Sequence, residues 1–448
     1  MKVLRLLPLT AALAACALSG TARAEGLLEL YEAARAYDAN WQSAKSQYDA
    51  NIARAAQSRA GILPQAGLSA GLTRNDYELR TEPAGAVAAT RVERNFTTQQ
   101  ATLSASQPLY RPANLATYRQ GKRQAELAEF QLTSAGQDLM IRVSQAYFDV
   151  LAAQDTLAFV RAQKAATAEQ LASAKRNFEV GTSTITDTRE AQARYDLVLA
   201  QEIAAENDLR VKKLALDTLV GRANAQPNPL SVPDVPLPQP PDPESWVAAS
   251  ENASPAILQA RTAVEIAELE TEKAKAGHKP TLDLTASYGL TRNLGGSTSL
   301  GVDNRTNLAA VGVAFNLPLF AGFATQNRIR ETLALEDKAR SDLEATRRTV
   351  AQAVRTAYFG VVSGQGQVRA LQAAEASSQS ALDANRLGYQ VGVRINIDVL
   401  NAQSQLFQTK RDLAQARYNV LLGHLRLRQA NGTLQPEDLA RLNTLLAP

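Results

Sequence analysis

Asn177-Phe178-Glu179-Val180-Gly181 comes back 211 positions later as Gly388-Tyr389-Gln390-Val391-Gly392, and this recurrence organises the whole chain. At the same offset Ala146-Tyr147-Phe148 returns as Ala357-Tyr358-Phe359, Asp187 as Asp398, Gln192 as Gln403 and Gly221 as Gly432. Gln107-Pro108-Leu109-Tyr110 matches Leu317-Pro318-Leu319-Phe320 one position short of it. Agreement within one position of a single offset over more than a hundred residues defines a tandem structural repeat.

Each copy carries the same succession of patterns. An Ala/Glu/Arg-rich helical segment leads (about 27–60, then 255–277), followed by two extended segments near 63–75 and 96–110, or near 281–292 and 306–320. Leu282, Leu284, Ala286, Tyr288 and Leu290 alternate with Asp283, Thr285, Ser287 and Gly289, and Val311, Val313, Phe315, Leu317 and Leu319 alternate likewise. About ten residues of strict alternation suit a tilted strand of a membrane barrel, and suit a half-buried soluble strand equally. Four such segments cannot close a pore alone, so either several chains close it together or the strands form an ordinary sheet.

Two long helices follow the strand pairs. Residues 113–178 and 325–387 contain no proline, and at 1.5 Å per residue each reaches roughly 100 Å. In 398–430, Val399, Leu406, Leu413, Val420 and Leu427 stand seven apart, with Ala402, Ala416, Gly423 and Ala430 three residues after four of them. A strict seven-residue period predicts left-handed supercoiling against a neighbour. In the first copy Val150, Leu157, Leu171 and Phe178 keep the spacing, while Lys164 and Thr167 interrupt it. The resulting division is a signal peptide at 1–24, a first repeat at 25–226 (ending in a helix at 187–220), a proline-rich linker at 227–246, a second repeat at 247–432 and a C-terminal tail at 433–448.

The leader has Lys2 and Arg5 ahead of the apolar run 6–18, then Ala22 and Ala24 in an A-x-A cleavage pattern. Leu13-Ala14-Ala15-Cys16 also has the form of a lipobox, so Cys16 is either lipidated or removed with the leader. Cleavage after Ala24 leaves 45 basic against 44 acidic residues, too even for a nucleic-acid binder. No later run is long and apolar enough for a membrane helix. An aromatic content of 5% fits a short barrel on a mostly helical protein.

Reactive chemistry has no foothold. The two histidines, His278 and His424, lie far apart, Cys16 is the one cysteine, and no nucleophile elbow, phosphate loop or dinucleotide fingerprint occurs. The expectation is no enzyme, no cofactor and no metal. The helix-turn-helix tips, 180–187 and 391–398, stand out instead. Gly181 and Gly392 suit left-handed caps, and Asp187 and Asp398 suit the first turn of the next helix. If the helices line a tube, those carboxylates also ring its mouth.

The duplicated tips, Ile397-Asp398-Val399-Leu400-Asn401-Ala402-Gln403 and Leu317-Pro318-Leu319-Phe320-Ala321-Gly322 resemble the TolC family of outer-membrane efflux and secretion channels over nearly all of 25–432. The resemblance implies an α+β membrane protein: a homotrimer with four strands per chain in one twelve-stranded β-barrel, continued by a long α-helical coiled-coil tunnel through the periplasm. It implies a passive outer-membrane exit duct of a tripartite efflux pump or type I secretion system. Its partners would be outer-membrane lipid, a periplasmic adaptor protein that opens the tip and an inner-membrane transporter that supplies energy. By the same resemblance Asp187, Tyr389 and Arg394 hold the entrance closed, Asp398 forms one carboxylate ring, and Gly181 and Gly392 mark adaptor docking grooves. Asn401 replaces the aspartate of a second ring, which predicts a weaker cation preference. The competing reading is a periplasmic coiled-coil adaptor or scaffold without a pore.

Overall fold

The structure is a computed structural model that describes residues 25–82, 90–231 and 239–446. The proposed signal peptide, with Cys16, lies outside the described residues, as does part of the proline-rich linker. In chain order the elements are α1 (Leu27–Tyr37), α2 (Ala39–Gln57), β1 (Gln65–Thr81), β2 (Thr90–Tyr110), α3 (Pro112–Glu179), α4 (Ile185–Val220), α5 (Pro243–Ala253), α6 (Pro255–Lys275), β3 (Thr281–Leu294), β4 (Asn304–Asn316), α7 (Ala324–Gln390), α8 (Asn396–Asn431) and α9 (Pro436–Asn443). Two structural units divide them.

One unit, Gln47–Glu129 with Gln259–Glu344, holds the sheet. It is antiparallel throughout in the order β1-β2-β3-β4, so β1 and β4 are its edges. The register sorts the side chains by chemistry. Leu68, Leu103, Tyr288 and Ala309 lie opposite one another in one row, and Ala66, Ala105, Ala286 and Val311 in another. Alternate rows, on the other face by the pleat, read Gly67-Ser104-Ser287-Ala310 and Thr73-Thr98-Asn293-Asn304. The apolar face is bare, with Leu68 75% and Val311 79% exposed. On the polar face Asn75 donates to Thr98 at 3.0 Å, Thr98 to Asn293 at 2.8 Å, and Asn293 to Asn304 at 2.9 Å, a bonded row across all four strands.

β1 and β2 run further than apolar alternation predicts, to Thr81 and from Thr90. Beyond Asn75 the ladder continues through charged pairs such as Glu78 opposite Glu93, with Arg91 bridging to Glu78 at 2.8 Å. β4 stops short, at Asn316 and not Phe320, because its partner β3 begins only at Thr281, after Pro280. The helical parts of this unit are tied by charge. From α6, Glu265 and Glu272 reach Arg123 and Arg119 of α3, while Glu268 and Glu270 reach Arg340 and Arg328 of α7.

The other unit contains residues 25–46, Phe130–Leu258 and 345–446. Its main core joins Leu27 and Leu30 of α1, Val143, Tyr147 and Leu151 of α3, Leu216 of α4, Leu421 and Leu425 of α8 and Leu439 of α9. Within the C-terminal segment, α9 packs into the core, and Arg428 pairs with Asp438 at 2.6 Å. The single helix expected at 27–60 breaks at Asp38, whose carboxylate accepts from the Trp41 amide at 2.7 Å and from Arg142 through both oxygens. A carboxylate capping the next helix competes with continuation of the first. The linker ends at Asp242, which caps α5, and Pro243 occupies the first helical turn, where a missing N–H costs nothing.

All five heptad residues of α8 are buried. Val420 meets α7 close to Gly364, and Gly423 sits against Val361, so small residues do bring the two helices together. In the first copy the interruption has a physical cause. Lys164 is held 2.5 Å from Glu202 of α4, an ion pair standing where a seam residue would be.

Candidate functional site

The tips lie at the α3–α4 and α7–α8 turns. Both turns close alike: Gly181 and Gly392 each have φ +81°, and amides beyond them return to the helix ends (Thr182 to Asn177 O, 2.8 Å; Val393 to Gly388 O, 2.9 Å). A side chain at that φ is strained. Space around both glycines is open, with no atom within 4 Å of a built Cβ.

The two aspartates then diverge. Thr184 caps α4 by accepting from the Asp187 amide at 3.2 Å, and the Asp187 carboxylate accepts from the Thr184 amide at 3.0 Å and the Ser183 hydroxyl at 2.7 Å. Burial pushes the Asp187 carboxyl up, but the Ser183 and Thr184 bonds outweigh it and hold it below the ordinary aspartate value. In the second copy Ile395 stands where Thr184 stood and offers no capping oxygen. Asp398 lies 3.7 Å from Arg394 in a loose, partly exposed pair.

Asp187, Tyr389, Gly392 and Arg394 line one cleft of about 940 Å³ between the tips, whereas Gly181, Asp398 and Asn401 are not part of its lining. The bonds of Asp187 described above stay within its own turn, and the Tyr389 hydroxyl accepts from Asn177 at 3.2 Å. Asn401 accepts from Arg194 of α4 at 2.8 Å. Asn396, the first residue of α8, accepts from Gln170 of α3 and donates to the Asp187 carbonyl at 3.2 Å. Asn177, Gln170, Arg194 and Asn396 were missed in the sequence. Asn396 left one signal, an amide at the position that the first copy fills with Ile185. Among the described residues no cluster of His, Cys, Asp or Glu could hold a metal ion, and no helix is long and apolar enough to cross a membrane.

The model of a family described as outer membrane efflux protein matches residues 30–222 and 246–433, one block for each copy of the repeat. Outer membrane protein TolC of Vibrio cholerae is 33% identical over 440 residues, which cover 98% of each chain. Alkaline protease secretion protein AprF of Pseudomonas aeruginosa is 32% identical over 424 residues, covering 92% of this chain and 86% of the relative. The crystal structure of the outer membrane protein VceC from Vibrio cholerae has a similar fold, with a TM-score of 0.77 at 19% identity over 91% of this chain and 96% of that one.

Proposed function

The chain belongs to the outer membrane efflux protein family and is an outer-membrane exit duct for efflux or type I secretion, not an enzyme; we propose that it works as a homotrimer in which three sheets close into one twelve-stranded barrel continued by a helical tunnel. The observation that carries this reading is the sheet itself: four strands, one largely apolar face, one face mostly of Ser, Thr, Asn and Gly, and two edges without a partner strand among the described residues. A membrane barrel needs an apolar exterior, a polar interior and no free edge. Copies joined β1 to β4 satisfy all three conditions, with the bonded Asn75-Thr98-Asn293-Asn304 row lining the lumen and the Leu68 and Val311 face against lipid.

At the periplasmic mouth, Asp187, Tyr389, Arg394 and Asp398 form the entrance gate, with Asn401 one turn further in. Asp398, paired only loosely with Arg394, supplies one ring of carboxylates, and Asn401 keeps the second ring uncharged. Gly181 and Gly392 leave the clear, low-relief surface that a periplasmic adaptor hairpin needs. The adaptor opens the tip, and an inner-membrane transporter supplies the energy. Deleting the gene and scoring both drug sensitivity and loss of secreted protein tests the duct: either defect, restored by the intact gene, supports it, and absence of both contradicts it.

A further inference from the structure

On the apolar face of the sheet the two ends differ in chemistry. Where the strands join α2, α3, α6 and α7, the face closes on the row Tyr110-Leu282-Phe315, with Tyr110 and Phe315 exposed. Where β1 turns to β2 and β3 to β4, it closes on the row Leu72-Gln99-Arg292-Arg305, with Arg74 one row further out. Among the described residues of this face, none from Tyr288 onward to the strand turns is aromatic. A membrane barrel ordinarily carries aromatic girdles at both boundaries. Here one girdle is arginine.

Depth separates a boundary from a solvated rim. Leu282 and Arg292 are ten positions apart on β3, about 33 Å of strand and about 25 Å of membrane depth at a tilt near 40°. That is the height of the apolar band of a barrel wall, so Arg292 stands at its edge and not in the water beyond. The pentapeptide Gly71-Leu72-Thr73-Arg74-Asn75 recurs as Gly289-Leu290-Thr291-Arg292-Asn293, so each copy passes from leucine to arginine on this face.

Arg292 and Arg305 lie directly opposite one another on neighbouring strands, an arrangement that repels. Arg74, Arg292 and Arg305 are all exposed, and none has an ion pair among the described residues. Two carboxylates are near in sequence. Asp76 follows Arg74 on the same face, and Asp303, two residues before Arg305, accepts from the Gly295 amide at 2.7 Å. Further out the charges satisfy each other: Glu78 pairs with Arg80 and Arg91, and Arg91 also with Glu93. The unmatched arginines are therefore those nearest the apolar band.

We propose that Arg292 and Arg305, with Arg74 beside them, form a site on the outer wall for the phosphate groups of a phosphorylated glycolipid of the outer leaflet. Guanidinium groups match phosphate oxygens in a fork, and a phosphate between two of them replaces repulsion with charge-assisted bonds. The acyl chains of the same lipid lie along the Leu68-Leu103-Tyr288-Ala309 row. Tyr110 and Phe315 suit the headgroup level of the opposite leaflet. This rests on the reading of the sheet as a barrel wall with the helices in the periplasm, which puts the strand turns outside.

The test uses the assembled full-length protein in detergent and the probes phosphorylated lipid A, the same lipid A with its phosphates removed, and inorganic phosphate. Wild-type protein is expected to bind phosphorylated lipid A with an affinity that falls as salt rises, and the dephosphorylated lipid at least about tenfold more weakly. Arg292→Gln with Arg305→Gln is expected to weaken binding of the phosphorylated lipid about thirtyfold, about fivefold per charge, without changing that of the dephosphorylated one. Arg94→Gln, at the same end of the sheet on its polar face, is expected to change neither. Equal affinity for the two lipids, binding indifferent to salt, or a double variant that binds like the wild type would overturn the site. Inorganic phosphate displacing the lipid at equal concentration would overturn it too, in favour of a free-anion site. The salt and dephosphorylation arms need no variant and decide the matter even where the double variant does not assemble. Protein that conducts in planar bilayers but binds no lipid A overturns this site alone, whereas protein that does not conduct takes the barrel reading with it.

Discussion

Tyr147 and Tyr358, equivalent residues of the two copies, each donate a phenolic hydrogen bond to the connection between those copies, from its two ends: Tyr147 to Asn228 O at 3.0 Å and Tyr358 to Pro241 O at 2.6 Å. Trp246 adds a bond to Pro240 O at 2.9 Å. The duplication thus uses one repeated residue to bind the strap that a repeat needs. Tyr147→Phe and Tyr358→Phe keep the rings and remove the bonds. Each is expected to cost about 1–2 kcal/mol, measured as a lower midpoint of thermal loss of helical circular dichroism, with no change in conductance.

The Arg194 guanidinium beside Asn401 alters what an added carboxylate would do. Asn401→Asp alone places the new charge against Arg194, so cation preference in single-channel recordings is expected to change little. Asn401→Asp with Arg194→Ala frees that charge. The double variant is expected to show a clear rise in cation preference and in block by multivalent cations.

Gly392→Val introduces a branched side chain at φ +81° with open space around it. The backbone cost is about 1–2 kcal/mol, too small to unfold a tip anchored by two long helices. Trimer yield is expected to persist while cross-linking to the adaptor and export both fall. Retained cross-linking would remove this glycine from the docking surface.

Asp155 lies among α3, α8 and the connection, where burial raises its carboxyl and the Tyr418 hydroxyl, donating at 2.7 Å, only partly offsets that. A raised aspartate means that the folded protein binds this proton more readily than the unfolded chain does. Stability therefore declines as pH rises from the ordinary aspartate value through the folded one, and the penalty is complete above it. Asp155→Asn is expected to raise the melting temperature at neutral pH. The advantage should vanish below about pH 4, where the carboxyl is protonated in both states.

What was legible in the sequence was what repeats. The alternation of β3 is the period of the strand pleat and the heptads of α8 are the period that burial imposes, and both return in the structure. Single interactions were harder to see. The break at Asp38 depends on Arg142, a hundred residues away, and α9 looked like a tail because its partners are α1 and the ends of the long helices. At the tips the two aspartates looked equivalent, although the change from Thr184 to Ile395 already removes the cap from one of them. Asn396 left only its contrast with Ile185 of the first copy, because a lone amide in a polar turn breaks no pattern of its own.

The central claim is that sheets with open edges close into a pore only in company. Purified protein, run unheated and heated in detergent and then examined in planar bilayers, addresses it in one preparation. The proposed homotrimer should appear as a species of three chains that dissociates to one on heating, with discrete conductance steps from the unheated form alone. A protein that is one chain before heating, or an assembly that conducts no current, would contradict it.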